Sequence, residues 1–220
     1  MRLSCDSCTL RACLTGTGTC PLGITTETRA RWAAQYGEPG TCAFAREALL
    51  VHNAAALHLP EGGVVPRNPR IEEIAQFARR MGYTHLGIAF CAALQPEAAI
   101  TAAILRKRGF TIESVSCSVG GLEAETVQVC GDAKLGGADA RQTMCNPIAQ
   151  ADLLNAAGVD LNVVVGLCVG HDALFFRHAT APTTVLLVKD RVFGHNPIAA
   201  LHESERFYRW LQRSDDDTPA

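Results

Sequence analysis

The chain has 220 residues, of which 48% are hydrophobic and 19% charged, and its formal net charge is −2. That is ordinary for a globular protein with one core of domain size and a substantial appendage. No Lys/Arg run supports non-specific nucleic-acid binding, and no stretch reaches the roughly 18–20 apolar residues that span a bilayer.

Residues 1–23 are rich in Cys, Thr and Gly without a sustained period, and such a segment needs a staple to fold. Helices are expected at 26–36 and 41–57, the second from its Ala/Leu-rich run. Residues 58–68, with Pro60, Gly62, Gly63 and Pro66, read as a linker. Ile71, Ile74, Ala75, Ala78 and Met81 then recur at helical spacing, with Gly82 as a C-cap. A strand at 84–90 leads to a helix from Pro96 through Arg108, closed by Gly109. After a strand at 110–116, residues 118–144 carry many glycines and read as an insertion loop. The spacing predicts a helix at 147–157 ending at Gly158, a strand at 161–167 and a short helix at 172–178. A strand at 183–189 and a last helix at 197–212 follow, and then an acidic, disordered tail at 214–220.

Alternating strands and helices, with Val/Ile/Leu-rich strands, imply parallel pairing with both faces covered. The fold class is therefore α/β: a small Rossmann-like parallel sheet of about four strands with helices on both faces, plus a Cys-rich N-terminal helical module. The expected domains are 1–58 for that module and 66–213 for the α/β domain.

The chain carries ten cysteines. Met1-Arg-Leu-Ser-Cys5 has the look of a lipoprotein cleavage box but lacks the apolar region of a secretory signal. A cytoplasmic protein is therefore expected, and in that setting many cysteines point to metal or redox chemistry rather than disulfides. The first set is Cys5-x2-Cys8-x4-Cys13-x6-Cys20. A C-x2-C pair can grip one ion, and two more thiolates complete four ligands for zinc or an iron–sulfur cluster. Cys91, Cys117 and Cys168 each end an expected strand, and Cys145 precedes the expected helix start Asn146-Pro147. Open parallel sheets bind ligands outside the carboxyl ends of their strands. Gathered there, these four would hold a metal or a cluster, although a single such cysteine is as readily a small buried hydrophobe.

Cys145-Asn-Pro-Ile-Ala and His195-Asn-Pro-Ile-Ala echo one another, which predicts that both residues sit beside helix N-termini facing one anionic centre. His171, in the turn after Cys168, is a second candidate ligand or proton carrier, with helix capping as its plain alternative. Lys189, Asp190 and Arg191 end the fourth strand; one of them could neutralise a cluster or touch a substrate, but an ordinary polar strand end is the plainer reading. Cys42 is a possible substitute ligand for the first set, or equally a small buried residue at a helix start; Cys130 has no assigned partner, and no glycine-rich phosphate loop is present.

Four motifs then carry a resemblance. Gly87-Ile-Ala-Phe-Cys91, Met144-Cys-Asn-Pro-Ile-Ala-Gln150, Val165-Gly-Leu-Cys-Val-Gly-His-Asp172 and Val188-Lys-Asp-Arg-Val-Phe-Gly-His-Asn-Pro197 resemble an uncharacterised metal-binding family of anaerobic bacteria and archaea, domain of unknown function 1847. The resemblance runs from the N-terminal cysteines to about residue 202. It implies metal binding through Cys5, Cys8, Cys13, Cys91, Cys117, Cys145 and Cys168, with Cys20 less firmly matched. Many relatives double the cysteine near Cys117, whereas serines flank it here at 116 and 118.

The resulting expectation is a metal-binding protein with an iron–sulfur cluster, of the 4Fe-4S kind, at the sheet mouth and a second cluster or zinc at the N-terminus. His171 and His195 would move protons, acting on a small sulfur- or oxygen-containing molecule or with a redox partner. The alternative is a non-catalytic zinc-binding structural or metal-sensing protein; thiol–disulfide redox work is a third reading, weakened because the only C-x2-C pair precedes the α/β domain and does not open one of its helices. No nucleic acid or membrane is expected as a partner, and the oligomeric state is open.

Overall fold

The structure is a computed structural model that describes residues 4–16 and 19–214. The chain divides into two compact units, Met1–Pro66 and Arg67–Ala220.

The first unit begins with a 3₁₀ turn at Cys5–Ser7 and one helical turn, α1 (Ala12–Thr15), inside the loop-like segment. Helix α2 spans Thr26–Tyr36, and Thr25 caps it by accepting from the Thr28 N–H at 3.2 Å. Helix α3 spans Pro39–Ala54. It starts earlier than expected because Pro39 brings a helix-ready φ to the first turn, where its missing N–H costs nothing. The expected linker is instead a small antiparallel hairpin of β1 (Ala56–His58) and β2 (Val64–Pro66). Gly62 and Gly63, at φ +93° and +99°, supply the left-handed turn that closes it. The β-branched pair Val64–Val65 favours the extended strand.

The second unit holds the four-stranded parallel sheet expected from the sequence. Helix α4 (Arg70–Arg80) precedes β3 (His85–Phe90), followed by α5 (Gln95–Lys107), β4 (Thr111–Ser116), α6 (Pro147–Ala157) and β5 (Leu161–Val165). Helix α7 (His171–His178), β6 (Thr183–Leu187) and α8 (Ile198–His202) complete it. The strand order is β4-β3-β5-β6. The two central strands carry the core: Leu86, Ile88, Val163 and Val165 are fully buried, as is Phe175 of α7. This is why β5 reads Leu-Asn-Val-Val-Val, without the alternation of a half-exposed strand.

Two glycines let the layers close. A Cβ on Gly87 would stand 2.7 Å from Asn162 Oδ1 and 3.0 Å from Leu154 of α6. Gly166, at φ +69°, ends β5, and a Cβ there would collide with Leu94. The sheet end is therefore drawn tight where the chain leaves it.

The expected last helix is mostly absent. Helix α8 stops at His202, and a 3₁₀ turn at Arg209–Gln212 follows. Ser204 Oγ donates to the Leu201 carbonyl at 2.7 Å, a local bond that competes with helix continuation. The tail from 215 lies outside the described residues. Among those described, no helix is long and apolar enough to cross a membrane.

A thiol site at the carboxyl end of the sheet

The chain leaves β3 toward β4 on one side and leaves β5 toward β6 on the other. The strand order therefore reverses between β3 and β5, the place where open α/β sheets form a crevice. Cys91 follows β3 directly, and its N–H extends the β3–β5 ladder by donating to the Val165 carbonyl at 3.1 Å. Cys168 follows β5 after Gly166 and Leu167. Cys117 follows β4, its N–H donating to the Phe90 carbonyl at 2.8 Å. Cys145 stands before α6, where Asn146 caps the helix by accepting from the Ala149 N–H at 3.1 Å. The Asn146 N–H also donates to the Cys117 carbonyl at 2.6 Å, which ties the two ends of the insertion together.

The structure brings these four cysteines together. Cys145 Sγ donates to Cys117 Sγ at 3.7 Å, and the Ala92 N–H donates to the same sulfur at 3.3 Å. Cys91 and Cys168 lie close enough for their charges to act on Cys145. The Cys145 hydrogen bond, helped by the Ala92 N–H and Cys91 and opposed by burial, lowers the Cys117 thiol to about 6. Cys145 moves the other way, because its proton is engaged with Cys117 and burial disfavours its charge. The pair thus holds one proton between two sulfurs. Burial raises the Cys91 thiol, partly offset by the Ala93 N–H and then by the Lys189 charge. Arg191 Nη2 donates to Cys168 Sγ at 3.3 Å.

His171 occupies the first turn of α7, near enough to Cys117 to act on it electrostatically. Its Nδ1 is buried without a hydrogen-bond partner among the described residues. His195 is placed differently from expectation. It sits at φ +68° in the turn after β6, its Nδ1 accepting from the Asp190 N–H at 3.2 Å. That bond keeps the ring proton on Nε2. The echo between the two Asn-Pro segments is also incomplete: Asn146 caps a helix with its side chain, whereas Pro197 holds the cap position of α8 and no side chain caps it. With five residues, α8 also has little dipole to offer.

Sequence reasoning missed Gln150. This fully buried side chain donates from Nε2 to the Phe90 carbonyl at 3.2 Å and the Val115 carbonyl at 2.7 Å. It thereby braces the strand ends that carry Cys91 and Cys117. A glutamine among the apolar residues of α6 was the available signal, since the N–H donors of a buried amide seek acceptors.

In the first unit, Cys5, Cys8, Cys13 and Cys20 all line one open hollow of about 550 Å³, with Leu10 and Leu14 beside them. Cys42 and Cys130 are exposed. Among the described residues, no three His, Cys, Asp or Glu groups are arranged to hold a single metal ion. Neither cysteine set is therefore a closed single-ion cage as it stands.

Comparison with known proteins places the sequence. The family model described as protein of unknown function DUF1847 matches residues 20–186. The chain belongs to this family. An uncharacterized protein of Methanocaldococcus jannaschii is 45% identical over 136 residues, covering 62% of this chain and 68% of that protein. No solved structure matches. The DUF1847 segment includes Cys20, Cys91, Cys117, Cys145, Cys168 and His171, and it leaves Cys5, Cys8, Cys13 and His195 outside.

Proposed function

We propose that this DUF1847 protein is a metal–thiolate protein. Its principal centre is an iron–sulfur cluster held by Cys91, Cys117, Cys145 and Cys168. The observation that carries the reading is the meeting of four thiols from four separate segments at the switch point of the sheet. The donor set suits the group: thiolates are iron–sulfur ligands, and the buried, unpartnered His171 Nδ1 offers a polar atom beside them. Bound there, a cluster supplies one-electron transfer or, at an iron with an open position, a Lewis acid.

The chain's own residues do the rest. Cys117 gives up its proton more readily than a free thiol, which eases loading, because metals bind thiolates and release protons. Hydrogen bonds from Ala92 and Arg191 to ligand sulfurs, with the Lys189 charge nearby, temper the negative charge of a thiolate set. His171 holds or moves a proton for a small sulfur- or oxygen-containing molecule at the opening. The hollow lined by Cys5, Cys8, Cys13 and Cys20 is the second site, for a cluster or zinc.

A zinc reading has one observation of its own. Two thiolates on a tetrahedral ion with bonds of ~2.3 Å stand ~3.7 Å apart, the separation of Cys117 and Cys145. Thiolates on different irons of a cluster stand farther apart, so cluster loading would part this pair. Anaerobic purification with visible absorption and assays for iron, acid-labile sulfide and zinc decides between them. Brown protein with iron and sulfide is the expected result. Colourless protein with stoichiometric zinc favours the second reading, and protein that binds neither after reconstitution refutes both.

A further inference from the structure

We infer that Cys117 and Cys145 are also a redox pair, closing to a disulfide under hydroperoxide and so withdrawing two thiols from the centre. The withdrawal of metal rests on the proposed function; the disulfide itself does not. The sulfurs already touch, 3.7 Å apart with the Cys145 S–H directed at Cys117. The backbones beside them are joined by the 2.6 Å bond from the Asn146 N–H to the Cys117 carbonyl, so closure asks little movement of the chain. Of the other two, Cys168 is held by Arg191, and Cys91 directly follows β3 with its N–H tied to Val165. Cys145, whose S–H already points at Cys117 and which stands outside any strand, is therefore the partner.

Cys117 is 5% exposed, which favours an oxidant as small as a peroxide over a bulky disulfide. The Cys117 thiolate attacks one oxygen of hydrogen peroxide, and the O–O bond breaks. The leaving hydroxide takes the proton of Cys145 and departs as water, leaving Cys117 as a sulfenic acid. The Cys145 thiolate then attacks the Cys117 sulfur. The S–O bond breaks, and the second hydroxide takes a proton from solvent. Two cysteine sulfurs have each lost one electron, and one peroxide has become two waters. A thiol reductant reverses the change by thiol–disulfide exchange.

The test treats the full-length protein, metal-loaded and chelator-stripped, with hydrogen peroxide. Remaining thiols are then alkylated and the protein is mapped by peptide mass without reduction. The expected result is a Cys117–Cys145 cross-link as the first product, loss of two thiols per peroxide, release of metal in step with the cross-link, and recovery on reduction. C145S should lose the cross-link and leave a sulfenic acid on Cys117 that dimedone traps. C130S, at an exposed cysteine outside the site, should cross-link as the wild type does, which keeps the test valid if C145S does not fold. A Cys117 that stays alkylatable while other cysteines oxidise, or that links elsewhere, overturns the inference and leaves the metal reading standing. A cross-link without metal release overturns the gating. Protein that never holds metal overturns the metal reading and the gating together, while the cross-link in stripped protein still decides the disulfide.

Discussion

At the scale of single residues, buried or partnered polar groups set the strength of the sheet ends. Gln150 braces the carbonyls of Phe90 and Val115 beneath the thiols. Gln150→Leu keeps the volume but removes both donors, so urea unfolding should show a loss of about 1–2 kcal/mol. The loss should be accompanied by weaker metal retention. At the other end of the sheet, Asp160 Oδ2 accepts from the Thr84 N–H at 2.8 Å and the His85 N–H at 2.9 Å. The His85 and Thr84 bonds hold its carboxyl below the usual range. A lowered folded value stabilises above the unfolded pKa near ~3.9, and that contribution is lost as pH falls through the folded value. Asp160→Ala should therefore cost about 1 kcal/mol at pH 6, after allowing for solvent screening. The gap between wild type and variant should shrink when unfolding is measured near pH 3. An undiminished gap would mean that the side chain acts by packing.

At the scale of elements, caps and close approaches place the cysteines. Asn146 caps α6 and also donates from Nδ2 to the Val119 carbonyl at 3.4 Å. Asn146→Ala should cost about 1 kcal/mol and weaken metal binding, because Cys145 is positioned by this cap. The matching change Asn196→Ala removes no cap and should stay within about 0.5 kcal/mol. Equal losses at the two positions would restore the symmetry that the sequence echo suggests. Gly87→Ala forces a methyl against Leu154 and Asn162, so β3 and α6 must part. A loss of about 1–3 kcal/mol is expected, read as a lower thermal midpoint.

At the scale of the whole chain, the two units should respond differently to metal removal. Among its described residues, the segment from Ser4 to Gly23 has one 3₁₀ turn and one helical turn around its hollow, and no buried side chain. Without a ligand, it has little to oppose the entropy of the open chain. Limited proteolysis of chelator-treated protein, or of a Cys5→Ser/Cys8→Ser variant, should cut within this segment. The unit from Arg67 should stay intact, since its core is apolar and needs no metal. Protection of both in metal-free protein would remove the N-terminal site from the proposal.

Periodicity and turn chemistry made most of the architecture legible. Helix α4 and the strands around Cys91 and Cys117 read correctly because apolar spacing and Gly or Pro boundaries are local signals. So did α6, with its Asn-Pro start and Gly158 end. The linker that became a hairpin and the last helix that broke into turns were misread. In both, weak local preferences were decided by pairing or by a competing side-chain bond. A parallel four-stranded α/β unit, and three cysteines placed just past strand ends, followed from local pattern, because strand ends can be read along the chain. Which thiols touch, that Gln150 braces the strand ends beneath them, that Arg191 reaches Cys168 and that His195 turns its Nδ1 to its own loop came from the packing of the folded chain. Those facts depend on strand order and on contacts between residues far apart in sequence, which no local pattern encodes.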